Sequence, residues 1–153
     1  MTNQKMVKRI LIIHGPNMNL LGSRDPKEYG NLTLSKLNTQ LKKHARTLGI
    51  ELKIVQTNHE GRIIDLLHRR RKWTSAFILN PGGYTHTSIS IRDAIDAIRT
   101  PVVEVHLSNI YEREPFRNIS LTGDVCVAQF YGKKVDSYIE AIDFLNQYFE
   151  KSE

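Results

Sequence analysis

A three-layer α/β fold built on a five-stranded parallel sheet is what this sequence predicts, from three observations. Five short apolar runs alternate with stretches in which leucine and isoleucine recur at helical spacing. The runs are stopped by breaks rich in Gly, Pro and Asn. At 153 residues the chain reads as one domain, long enough to bury a full core without staples or metals. Strands alternating with helices imply right-handed crossovers and a parallel sheet covered on both faces.

The elements follow in order. Lys8 to His14 (Lys-Arg-Ile-Leu-Ile-Ile-His) reads as a buried strand stopped by Gly15-Pro16. His14 to Gly30 holds two prolines and three glycines and is expected as a long loop without a regular element. Leu34, Leu37, Leu41 and Leu48 then stripe a helix, with Thr33 as N-cap and Gly49 at its stop. Glu51 to Thr57 is a second strand by its β-branched content, and Asn58 is the expected cap of a helix carrying Ile63, Ile64 and Leu67. Ser75 to Leu79 is a third strand, ending at Asn80-Pro81-Gly82-Gly83; Thr87 is the expected cap of a helix with Ile91, Ala94, Ile95 and Ile98. Pro101 to Leu107 is a fourth strand, followed by a polar connection without a long period. Asp124 to Phe130 is a fifth, and Tyr138, Ile142, Leu145 and Phe149 stripe the last helix. The expected strand order is 2-1-3-4-5, the flavodoxin-like arrangement, in a single catalytic domain over residues 1–153 with its core at about 8–150.

Composition narrows the function classes. With 40% hydrophobic and 25% charged residues, the chain has an ordinary globular make-up. No apolar run approaches the roughly 18–20 residues of a membrane span, so no membrane partner is expected. The polar amino terminus has no signal-peptide pattern, and the single cysteine, Cys126, builds no disulfide framework; a cytoplasmic location is expected. The net charge is +6, but the one dense basic run, Arg69-Arg70-Arg71-Lys72, closes a helix, where cations complement its dipole. No nucleic acid is expected as a partner; a modest positive field suits a small anionic substrate.

In open α/β sheets, ligands bind beyond the carboxyl ends of the strands at the switch point. The long loop, Asn80 to His86, and His106-Leu107-Ser108-Asn109 all converge there. No P-loop, dinucleotide fingerprint or Gly-x-Ser-x-Gly elbow is present. Gly82-Gly83 before Thr87-Ser88 can offer backbone N–H groups to an anion. The histidines lack metal-ligand spacing, so neither metal nor cofactor is expected. His14 reads as a hydrogen-bonded strand-end residue, whereas His106 faces the cleft. A lone loop tyrosine such as Tyr29 usually packs or lines an interface. Arg24, five residues earlier, changes that, because a guanidinium beside a phenol favours the phenolate, and a tyrosinate can act as a base on a carbon acid. A binding module in which Tyr29 and Arg24 merely clamp an anionic metabolite or nucleotide is the alternative.

Together, Gly-Pro-Asn-Met-Asn-Leu-Leu-Gly-Ser-Arg-Asp-Pro…Tyr-Gly, Asn-Pro-Gly-Gly-Tyr-Thr-His-Thr-Ser, Arg92-Asp93-Ala94, Glu104-Val-His-Leu-Ser-Asn and Arg113-Glu-Pro-Phe-Arg117 resemble type II 3-dehydroquinate dehydratase, in order from about Ile10 to Tyr138. The resemblance implies a cofactor-free dehydration of 3-dehydroquinate to 3-dehydroshikimate, in the shikimate pathway or quinate breakdown. It implies Tyr29 as the base, with Arg24 favouring its ionised form. Asn17 would help hold a water that stabilises the enolate, and His106 would protonate the leaving hydroxyl. Asn80, His86, Leu107, Ser108 and Arg117 would hold the substrate, with Glu104 and Arg113 in support. Asp93 would reach the site from a neighbouring subunit, in a homo-oligomer that is typically a dodecamer built from trimers.

The chain departs from the family pattern at several places. Met18 replaces the usual leucine and Asp25 the usual glutamate. Thr122-Gly123 and Gln129 to Lys134 differ from a small, glycine-rich ending of the last strand. The expected consequences are confined to packing and subunit contacts and touch no site residue.

Overall fold

Residues 5–29 and 31–152 are described by the computed structural model. Gly30, read as the end of the long loop, and residues 1–4 of the polar amino terminus lie outside the described residues. Five parallel strands, β1 (Arg9–His14), β2 (Glu51–Gln56), β3 (Ala76–Asn80), β4 (Val102–Val105) and β5 (Ala128–Phe130), form one sheet in the order β2-β1-β3-β4-β5. Its two faces are covered by different helices. α2 (Leu34–Thr47) and α5 (Val135–Lys151) bury Leu37, Leu41, Tyr138 and Ile142 against Ile10, Ile12 and Ile78. α3 (Glu60–Arg70) and α4 (Ile89–Ile98) bury Ile63, Leu67, Ile91 and Ile95 against Leu11, Ile13, Phe77 and Leu79. Successive strand residues point to opposite faces, so an uninterrupted apolar run feeds both cores at once. Among the described residues no helix is long and apolar enough to cross a membrane.

Several local expectations are corrected. The long loop does carry regular turns: a 3₁₀ turn at Met18–Leu20 and the one-turn helix α1 (Pro26–Tyr29). Asp25 starts α1, its side chain accepting from the Lys27 N–H at 2.9 Å, and Pro26 follows where a helix needs no N–H. This single turn presents Tyr29. Asn58 does not cap α3, because its Oδ1 already accepts from Asn17 N and Gln56 Nε2; His59 stands at the N-cap with no side-chain bond. α4 is capped by Ser88, not Thr87, since Thr87 N–H closes the preceding 3₁₀ turn on Tyr84 O and leaves Ser88 Oγ to accept from Ile91 N. The fifth strand is shorter than expected because Gly123–Val125 forms a 3₁₀ turn. Thr33, by contrast, caps α2 as expected.

The ends of β1 and β3 meet closely at the switch point. Gly15 N donates to Asn80 O at 2.8 Å, and a Cβ on Gly15 would stand 2.4 Å from that oxygen. Only glycine lets the two turns converge.

Candidate active site

The turns beyond β1, β3 and β4, with α1 folded over them, enclose a cleft lined by Asn17, Arg24, Tyr29, Asn80, His86, His106, Leu107, Ser108, Arg113 and Arg117. Ten of the twelve residues singled out in the sequence thus share one cavity. Glu104 lies fully buried behind it, and Asp93 is exposed on α4, away from this chain's own cleft.

Tyr29 forms one wall. Its phenol oxygen receives Arg24 Nη2 at 2.6 Å and Arg113 Nη1 at 3.0 Å. The Arg24 guanidinium also stands over the Tyr29 ring, 3.7 Å from its centroid. Negative charge arising on this oxygen meets two positive donors at once, and charge-assisted bonds are about twice as strong as neutral ones. Arg113 is itself held near Glu28 and Glu114 and reaches Ser108 Oγ. Its direct contact with Tyr29 exceeds the supporting part expected of it, and spacing within the loop gives no sign of it, because the two residues lie 84 apart.

His106 forms the opposite part of the machinery. Its Nε2 meets Glu104 Oε2 at 3.0 Å, both groups buried. Glu104 is surrounded by donors: Thr85 Oγ1 at 2.9 Å, Ser120 Oγ at 3.0 Å, Gln129 Nε2 at 2.5 Å, and the Thr122 hydroxyl. Burial alone would raise the carboxyl's pKa. The hydrogen bond and charge of His106, with Thr122 and Gln129, outweigh burial and bring it to about 2. An ionised Glu104 accepts a hydrogen bond from Nε2–H, leaving Nδ1 as the ring nitrogen free for chemistry. Thr122 and Gln129 lie in the segments expected to bear only on packing and subunit contacts. That expectation is overturned: they hold the carboxylate that holds His106. The signal was available, since a glutamine inside the apolar run Val127-Ala128-Gln129-Phe130 needs a buried partner.

The remaining residues are oriented by their own partners. Asn17 adopts a left-handed backbone (φ 69°), a conformation Asn tolerates better than most residues, and its N–H is tied to Asn58 Oδ1. His86 Nδ1 donates to Ile119 O at 2.8 Å, so its Nε2 is an acceptor. Burial lowers its pKa against that carbonyl bond, with Arg117 and His106 adding to the lowering, which favours the neutral ring. Asn80 is held at both amide atoms, by Gly82 N and Tyr138 Oη. Arg117 is braced by Nε on Glu114 Oε2 at 2.6 Å. Among the described residues no three His, Cys, Asp or Glu side chains gather in a way that could hold a metal.

A phenol oxygen clasped by two guanidinium groups, a carboxylate-backed imidazole and convergent polar side chains at the switch point define an α/β enzyme of acid–base type. The family described as "Dehydroquinase class II" matches residues 8–146. The chain is 47% identical over 145 residues to the 3-dehydroquinate dehydratase of Halothermothrix orenii, covering 95% of this chain and 98% of that one. It is 45% identical over 148 residues to the catabolic 3-dehydroquinase of Emericella nidulans, covering 97% of each. The crystal structure of the type II dehydroquinase from Butyrivibrio crossotus superposes with a TM-score of 0.89 at 42% identity, covering 92% of this chain and 98% of that one. The chain belongs to the class II dehydroquinase family.

Proposed function

We propose that this chain is a 3-dehydroquinate dehydratase, a hydro-lyase that reversibly removes water from 3-dehydroquinate to give 3-dehydroshikimate. The pairing of the Tyr29 oxygen, held by Arg24 and Arg113, with His106, held by ionised Glu104, in one cleft carries the reading. The Tyr29 phenolate takes a proton from the carbon beside the substrate ketone, and the electron pair moves to the carbonyl oxygen as an enolate. A water held with the help of Asn17 donates to that oxygen, because charge developing there must be stabilised. The enolate then collapses, expelling the hydroxyl on the neighbouring carbon in an anti elimination. His106 gives it the Nδ1 proton, so that water leaves while Glu104 keeps the imidazolium compensated. Asn80, His86, Leu107, Ser108 and Arg117 hold the carboxylate and hydroxyls of this polyhydroxylated anion. No step uses a metal or an organic cofactor.

The substrate is a small anion, and the reaction serves the shikimate pathway or quinate catabolism in the cytoplasm, from a single catalytic domain over residues 1–153. The active form is a homo-oligomer, a dodecamer built from trimers, in which Asp93 enters a neighbour's cleft. In support, Asp93 is exposed and makes no ion pair among the described residues. Ile89, one turn earlier on α4, is 61% exposed, and Phe116 and Ile119 near the cleft are 70% and 67% exposed, apolar surface that a subunit contact would cover. The test is direct: 3-dehydroquinate is added to the purified chain and the conjugated enone product is followed by its ultraviolet absorbance. A steady rise proportional to enzyme is expected, and no rise at any enzyme concentration would exclude the function.

A further inference from the structure

At the buried end of the cleft, one backbone N–H dictates the direction of a chain of four hydrogen bonds. Gly82 N–H donates to Asn80 Oδ1 at 3.1 Å. A backbone N–H only donates, so Asn80 must turn its oxygen there and its Nδ2 the other way. Nδ2 then donates to Tyr138 Oη at 3.0 Å. The phenol has one hydrogen, and it goes to the remaining partner, His14 Nδ1, at 2.9 Å. Nδ1 therefore accepts, the ring proton sits on Nε2, and Nε2–H donates to Asn38 Oδ1 at 2.8 Å. Reversing any one bond sets two donors or two acceptors against each other further along.

The surroundings of His14 keep this direction. It pairs in register with Gln56 of β2 and Asn80 of β3 and meets Asn38 of α2 and Tyr138 of α5, none of them charged at neutral pH. Burial carries the His14 pKa down to about 4 against the raising effect of Asn38. Burial also pushes the Tyr138 phenol up, so it keeps its hydrogen. On the cleft side, the second Asn80 N–H rests 3.4 Å from Met18 Sδ, a weak acceptor that a substrate oxygen readily displaces.

We propose that Tyr138, His14 and Asn38 are positioning residues that lock the amide of Asn80 in a single orientation toward the substrate. The relay rests on the dehydratase reading only for the identity of that substrate. Its core is readable without substrate, by imidazole nitrogen NMR of the whole protein. His14 is expected as the neutral Nε2–H tautomer at pH 6; an Nδ1–H tautomer or a charged ring at that pH overturns the relay.

Asn38→Asp then inverts the chain from outside the cleft. A carboxylate beside Nε2 favours the imidazolium, whose Nδ1–H donates to Tyr138 Oη, so that the phenol hydrogen loses its acceptor and competes with Asn80 Nδ2–H for room around that oxygen. The expected result is a His14 ring that charges well above pH 4 and a KM for 3-dehydroquinate raised about ten-fold, with kcat within about three-fold. The rise in KM should fade at high pH, where His14 is neutral again. Tyr138→Phe, which removes only the hydroxyl, should raise KM by a similar factor at every pH. A KM unchanged in both variants, with only thermal stability lowered, shows the network to be structural and overturns the proposal. Failure of the wild-type protein to turn over 3-dehydroquinate sinks the dehydratase reading instead, and the NMR tautomer still decides the relay.

Discussion

Replacing Glu104 with Gln removes one charge at the centre of the proposed acid machinery while keeping the side chain's shape. The Glu104 carboxyl lies at about 2, against an ordinary value of 4.5, and it is fully buried. At about 1.4 kcal/mol per pKa unit, its ionised form is favoured in the fold by about 3 kcal/mol. Glutamine must also accept from Thr85, Ser120, Thr122, Gln129 and His106 with a single oxygen, so at least one buried donor is left facing an NH₂ group. Such a loss costs about 1–3 kcal/mol in addition. The stability penalty expected is therefore about 4–6 kcal/mol, at or just above the cost of about 3–5 kcal/mol for breaking a buried charged pair. In catalysis, His106 stays in place but its imidazolium loses the adjacent charge. General acid catalysis contributes about 10²–10⁴-fold, and a drop in kcat of about 10²-fold is expected, deepening as pH rises. Initial rates of enone formation between pH 5 and 9, with thermal melts of both proteins, read these quantities. A kcat within about three-fold of wild type with an unshifted pH profile would refute the part given to the Glu104–His106 pair.

Three further outcomes follow from the geometry. Gln129→Leu should lower kcat several-fold with KM little changed, because it strips one donor from Glu104 without touching the cleft; an unchanged kcat counts against its part in the shell. Acid sensitivity should come from two buried groups whose native pKa values are depressed: the stabilisation from His14 is complete above about pH 6.5 and lost as pH falls through about 4, and that from Glu104 is complete above about 4.5 and lost toward 2. Denaturant titrations at stepped pH measure this, and stability flat between pH 7 and 4 contradicts the His14 term. For the shared site, Asp93→Ala and Tyr29→Phe subunits, each impaired, should regain activity above their sum when refolded together, whereas a fully active monomer excludes it.

Sequence and structure agree where local physics decides. The strands were legible because a parallel sheet buried on both faces demands unbroken apolar runs, and the helices because their leucines and isoleucines keep one face. What escaped was decided by tertiary partners. Asn58 looks like a cap but its oxygen is taken by Asn17 and Gln56, and Val125-Cys126-Val127 looks like strand but Val125 closes a 3₁₀ turn that starts at Gly123. The motifs after β1, β3 and β4 were legible because each follows the end of its own strand. The contacts that align them were not, since Arg113 reaches Tyr29 across 84 residues and Tyr138 reaches Asn80 across 58. Tyr138 in particular is indistinguishable from core on a helical stripe, and only its buried hydroxyl marks it as more.

The central claim is that the Tyr29 oxygen removes a proton from 3-dehydroquinate, and Tyr29→Phe tests it most directly. The variant keeps the ring under Arg24 and loses only the ionisable oxygen. Substrate binding by calorimetry should stay within a few-fold of wild type, while turnover measured as enone absorbance should fall by about 10²-fold or more. A Tyr29→Phe enzyme that binds normally and keeps more than about a tenth of wild-type turnover would contradict the account.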